Sequence, residues 1–165
     1  MQNNSKRFGA LKLGLVLSLA VSACGGTGAE STTTMTDGES EYSFGSPGDP
    51  ADADRTVEIS ATDSLAFEPA ELMVAAGETV TFRIVNQGSL VHDFTLGDQA
   101  TQDEHEAEMA EMDGMANDQP NGVTIPAGET MELTWTFTEG GTVLIGCHQP
   151  GHYAAGMKGQ ITVEA

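Results

Sequence analysis

Between Val57 and Val163 the hydrophobic residues recur every second position, in short runs broken by glycine-containing turns. Val57 and Ile59 alternate with Glu58 and Ser60. Val80, Phe82 and Ile84 alternate with Thr81 and Arg83. His92, Phe94 and Leu96 alternate with Asp93 and Thr95. Met131, Leu133, Trp135 and Phe137 alternate with Glu132, Thr134 and Thr136. Val143, Ile145 and Cys147 share a face, and Ile161 and Val163 form the last run. A period of two over five to eight residues describes half-buried strands. Ala76-Gly77, Gln87-Gly88, Ala127-Gly128 and Gly140-Gly141 supply the turns. The pattern predicts an all-β, antiparallel Greek-key sandwich with one inward face per sheet.

The same alternation orients the residues with coordination chemistry. His92 falls on the face of Phe94 and Leu96, and Cys147 on the face of Val143 and Ile145, so both point into the core from strand ends. Downstream, Cys147, His152 and Met157 stand at a Cys-x4-His-x4-Met spacing in a loop that also contains Pro150 and Gly151. Two imidazoles, a thiolate and a weakly held thioether form the donor set of a blue-copper centre. Each residue alone has a plainer role: an inert core Cys, a gap-filling Met, a structural His. Zinc also takes Cys and His, but gains little from a thioether. The chemistry therefore argues for copper, with His92, Cys147, His152 and Met157 as candidate ligands. Asp93, beside His92, is expected either to brace the ligand loop or to be a solvated turn residue. His148 points away from the metal by strand alternation and is expected to be either a surface residue or an electron-exit or extra metal contact.

These motifs carry a family resemblance. Phe67 to Asn86, His92-Asp-Phe and Gly146 to Met157 resemble a cupredoxin of the plastocyanin/azurin group over residues 54–165. The resemblance implies the same four ligands, one type 1 copper per chain and single-electron transfer between redox partners, without bond-making catalysis. His152, flanked by Pro150, Gly151, Tyr153 and Ala154, would be the edge through which electrons leave. Multicopper oxidases need His-x-His pairs for their trinuclear cluster, and the four histidines here, His92, His105, His148 and His152, supply none. The alternative function is copper tolerance, by buffering or delivering the metal.

The rest of the chain reads from composition. Lys6, Arg7 and Lys12, the apolar run Leu13–Val21 and then Val21-Ser22-Ala23-Cys24 resemble a bacterial lipoprotein signal over residues 1–23, with Cys24 as the lipidated residue. The run is too short to span a bilayer. With Cys24 assigned to lipid and Cys147 to metal, no disulfide is expected. Residues 24–53 are rich in Gly, Ser, Thr, Asp and Pro, and read as a disordered tether. The folded domain is expected over 54–165. Loss of residues 1–23 would remove three of the six bases and none of the 25 acids, leaving a net charge of −22. Such a surface excludes nucleic-acid binding and favours redox partners with a basic docking face. The expected setting is extracytoplasmic, at a membrane held only through the lipid, as a monomer.

Residues 98–121 interrupt the alternation with eight acids and neither Lys nor Arg. Thr101-Gln-Asp-Glu104 has the form of a capping box, which predicts a helix from about Gln102 to Asp113, ended at Gly114. His105, Met109, Met112 and Met115 follow one another at i, i+4, i+7 and i+10. They constitute either a second Cu(I) site or the apolar face on which an acidic helix docks. A simple carrier would keep its visible spectrum on deletion of residues 101–116.

Overall fold

The computed structural model describes residues 42–112 and 119–165. The signal segment, Cys24, the first part of the tether (to residue 41), Asp113, Gly114 and Met115 lie outside the described residues. Among the described residues, ten strands form two five-stranded sheets. The first contains β1 (Gly45–Pro47), β2 (Arg55–Thr62), β3 (Ala66–Glu68), β5 (Thr79–Asn86) and β8 (Thr130–Phe137), in the order β1-β8-β5-β2-β3. The second contains β4 (Glu71–Ala75), β6 (His92–Gly97), β7 (Gly122–Ile125), β9 (Gly141–Gly146) and β10 (Lys158–Glu164), in the order β4-β10-β9-β6-β7. The sandwich is as expected, but both sheets are mixed: β2 pairs with β5, and β4 with β10, in parallel. Alternation reports which face is buried and carries no information on neighbour direction.

Val80, Phe82, Ile84, Trp135 and Phe137 are fully buried from the first sheet, and Phe94, Leu96, Ile145 and Ile161 from the second. Phe82 and Phe94 meet at 5.5 Å, and Phe67 packs edge-on against Phe94 at 5.6 Å. On the opposite face of β5 and β8, Thr79 faces Thr136 and Thr81 faces Thr134, each pair with hydroxyls 2.8 Å apart. Cross-strand pairs of this kind pin register.

Two boundaries differ from expectation. Residues ahead of Asp54 belong to the fold: β1 pairs with β8, and Phe44 stacks on Trp135 at 5.3 Å. Two aromatics, Tyr42 and Phe44, packed on Trp135 and a three-residue edge strand suffice to tie down a Gly- and Pro-rich segment whose average composition reads as tether. The helix α1 spans Gln99–Glu111, one turn earlier than predicted. Asp98 is its cap, with Oδ1 accepting from the Thr101 N–H and hydroxyl, each at 2.9 Å. A carboxylate next to the end of β6 reaches these donors before Thr101 itself can cap.

The helix also alters β6. Alternation predicts one polar, exposed face, yet all six residues are buried. Gln102 of α1 donates from Nε2 to the carbonyls of Thr95 (3.0 Å) and Leu144 (3.3 Å). α1 thereby roofs β6 and β9.

Candidate metal centre

His92 opens β6, and its position is set from before the strand. The Asn86 amide donates to the carbonyls of Leu90, Ile125 and Pro126 and accepts from Gly88 N–H. Asp63 accepts from the N–H groups of Ser89 and Leu90. These N–H bonds, that of Ser89 foremost, hold the Asp63 carboxyl below its usual range. Cys147 follows β9 and closes a loop on itself: its N–H donates to the Met157 carbonyl (3.2 Å), and Met157 N–H donates to His152 (3.0 Å). Gly151, at φ 84°, allows the turn between Pro150 and His152.

The outcome is a convergent trio. His152 Nδ1 lies 3.3 Å and His92 Nδ1 3.9 Å from Cys147 Sγ. One ligand atom from each of the three lies within 4.8 Å of the others, which is room for one metal ion. Cys147, His92 and Met157 are fully buried, and His152 is half-buried. Met157 is joined to Cys147 and His152 through the backbone bonds above.

The electrostatics fit a cation. Burial, then the charge of Asp93, pushes the Cys147 thiol well above its ordinary value. Without a positive ion the thiol stays protonated, whereas a coordinated metal deprotonates it outright. Burial lowers both His92 and His152, and repulsion from His152 adds to the effect on His92. Both rings are therefore neutral, lone-pair donors near pH 7. The donor set suits copper.

Asp93 is buried, not a solvated turn residue. Its Oδ1 accepts the His148 N–H at 2.6 Å, while its own N–H points to Cys147 Sγ at 3.4 Å. Burial raises the Asp93 carboxyl to about 6, against the hydrogen bonds that favour ionisation.

His148 corrects the expectation of a surface residue. It does point away from the trio, but into the space beneath α1, where it is 2% exposed. Its Nδ1 lies 2.7 Å from Glu106 Oε2 and its Nε2 2.7 Å from Gln102 Oε1. The Gln102 amide nitrogen is committed to two carbonyls, so its oxygen faces the ring and Nε2 is the donor. One proton then lies between Nδ1 and Glu106. Tyr153 stacks on the other face of His148 at 4.4 Å, with Lys158 Nζ 3.6 Å from the Tyr153 ring centroid. The signal that could have exposed this was Gly146: a Cβ there would lie 2.2 Å from Gln102 Oε1 and 2.7 Å from His148 Nε2.

The stripe of the insert is divided. His105 and Met109 are buried on the docked side of α1, and Met112 is half-buried at its end. Among the described residues, the His92–Cys147–His152 trio is the group of three or more His, Cys, Asp or Glu close enough to share an ion.

A family profile of copper-binding proteins, the plastocyanin/azurin family, matches residues 53–164. The chain belongs to that family. This cupredoxin is 39% identical over 150 residues to the copper-resistant cuproprotein CopI of Pseudomonas aeruginosa, covering 73% of this chain and 82% of the relative. The copper-resistant cuproprotein CopI of Rubrivivax gelatinosus is also 39% identical, over 125 residues and 76% of each chain. Among solved structures, auracyanin B superposes with a TM-score of 0.62 at 30% identity, covering 74% of this cupredoxin and 97% of that chain. Auracyanin-B of Chloroflexus aurantiacus is 35% identical over 122 residues, which is 66% of this chain and 52% of the relative.

Proposed function

We propose that the chain is a type 1 copper protein, with His92, Cys147 and His152 as strong ligands and Met157 as the weak axial one. The observation that carries this is the convergence of two imidazole nitrogens, from the start of β6 and from the loop after β9, on one fully buried thiol. Copper held there supplies a Cu(II)/Cu(I) couple. The chain's part is to hold the donors still: Asn86 and Asp63 brace the approach to His92, and Asp93 ties the two ligand segments together. Half-buried His152 is the edge for electron exit. The protein is not an enzyme in this reading. Its redox partners dock through a basic face, attracted by the acidic surface.

The second reading is copper tolerance, and the relatives favour it as the physiological setting, because both CopI proteins are named for copper resistance. We place the protein outside the cytoplasm, lipid-anchored through Cys24, on the strength of Val21-Ser22-Ala23-Cys24.

Loading with Cu(II) is expected to give an intense thiolate-to-copper band that Cys147→Ser abolishes; a colourless protein retaining stoichiometric zinc and rejecting copper overturns the site. To separate the roles, a strain lacking the protein is challenged with copper. Sensitivity rescued by wild type and not by Cys147→Ser supports tolerance. Unchanged growth, together with reduction by a basic partner that slows steeply with salt, supports the carrier, since exposed charges are screened over about 10 Å at 0.1 M.

A further inference from the structure

Away from the thiolate, one cavity joins a buried imidazole to carboxylates. It holds about 310 Å³ and is lined by Thr101, Glu104, His105 and Glu108 of α1, with Tyr42 and Gln119 also on its wall. The four helix residues are spaced i, i+3, i+4 and i+7, which is one face. His105 is 4% exposed, and among the described residues its Nδ1 has no hydrogen-bond partner. Glu108 Oε2 stands 3.6 Å from that nitrogen, beyond hydrogen-bond range. Buried polar atoms are seldom left without a partner.

The separation has a simple chemical meaning. Bonds of about 2.0–2.1 Å at a tetrahedral angle place two ligand atoms about 3.4 Å apart. The His105–Glu108 pair is within about 0.2 Å of that spacing, within the tolerance of a plausible site. Gln119 Nε2 donates to the same Glu108 oxygen at 3.0 Å and so orients the carboxylate. Glu104 adds a second carboxylate to the same wall, and no Lys or Arg lines the cavity among the described residues. We propose that His105 and Glu108 bind a divalent transition-metal ion, Cu(II) or Zn(II), as a second site, with Glu104 adding negative charge from the same wall without standing close enough to share the ion with both. Imidazole plus carboxylate suits these ions, and the thioether of Met109 is not among the lining residues. Burial also keeps His105 below its ordinary value, against the pull of Glu108, so its lone pair is free near pH 7. The site shares His105 with the stripe expected for Cu(I) but completes it with carboxylate in place of the methionine thioethers.

The test uses the full-length chain with the thiolate site filled with copper. Zn²⁺ is titrated by calorimetry while the thiolate band is followed, so a failed thiolate site shows as missing colour and a failed second site as a missing equivalent. One zinc per chain is expected, with the band retained. Loss of a ligand costs no less than loss of an outer-shell partner, about 10–100-fold, so E108Q should weaken zinc by at least about tenfold and H105A should abolish it. Glu108 is half-exposed, so E108Q leaves the fold intact even where H105A does not. Absence of zinc binding in wild type overturns the site, as does binding unchanged in E108Q. Binding lost in M112L but kept in E108Q also overturns it, in favour of a soft-ligand site.

Discussion

The Asp93 carboxylate accepts the His148 N–H at 2.6 Å, and so fastens the strand that starts with His92 to the loop that starts with Cys147. D93A leaves that buried N–H without a partner, at a cost of about 1–3 kcal/mol, visible as a lowered unfolding midpoint of the metal-free protein. D93N keeps an acceptor and should lose much less. At pH 8, where Asp93 is ionised, D93N also removes a buried negative charge beside the thiolate. The copper potential should then rise, because the charge favours the more positive Cu(II). Equal potentials in wild type and D93N, measured by redox titration, would remove Asp93 from the tuning of the site.

The roof over His148 makes the insert part of the metal centre's surroundings. Deleting residues 101–116 removes Gln102 and Glu106 and uncovers the residue next to Cys147. The thiolate band should therefore shift or broaden, contrary to the unchanged spectrum expected of a dispensable insert. G146A tests the same contact with one methyl group, since its Cβ would strike the side-chain oxygen Oε1 of Gln102. A spectrum identical to wild type in both variants would show that the roof does not reach the metal.

Met157→Leu should retain copper and raise the potential, because the weak axial donor stabilises Cu(II) more than Cu(I). Retained copper with an unaltered potential would mean that Met157 packs beneath the site without coordinating.

Asp98 links α1 to pH. The Thr101 N–H, followed by its hydroxyl, holds the Asp98 carboxyl below the usual range. A carboxyl depressed in the folded state contributes stability above its unfolded value, near 3.9, and loses it as pH falls through the lower folded value. D98A should cost about 1 kcal/mol near pH 7. D98N still caps but has no proton to gain, so the difference between wild type and D98N in thermal melts should change only in the acid range. A difference that is constant from pH 7 to pH 3 would count against the cap's charge.

Phe44 stacks on the fully buried Trp135 and lies in the core. F44A should cost about 3–5 kcal/mol, and a chain starting at Asp54 should be destabilised by at least as much in denaturant unfolding. An unchanged midpoint for that shortened chain would show that residues 42–53 are ornamental to stability.

The sandwich and the Cys147–His152–Met157 loop were legible in the sequence because both depend on local order. Period-two alternation records which side of each strand is buried, and it therefore oriented His92 and Cys147 correctly without any knowledge of which strands are neighbours. The Cys-x4-His-x4-Met spacing lies in one loop, so its closure by the Met157 and His152 backbone bonds is also local. The rest required the tertiary structure, because the decisive partners are distant in sequence. Asp93 could be read as brace or turn until His148, 55 residues on, came within 2.6 Å. His148 was correctly sent away from the metal, yet only the docking of α1 turned that direction from solvent into a buried site between Gln102, Glu106 and Tyr153. Parallel pairing of β2 with β5, Phe44 on Trp135 and the cavity at His105 have the same character. Strand periodicity encodes burial one strand at a time, and which surfaces then meet is decided only when the whole chain packs.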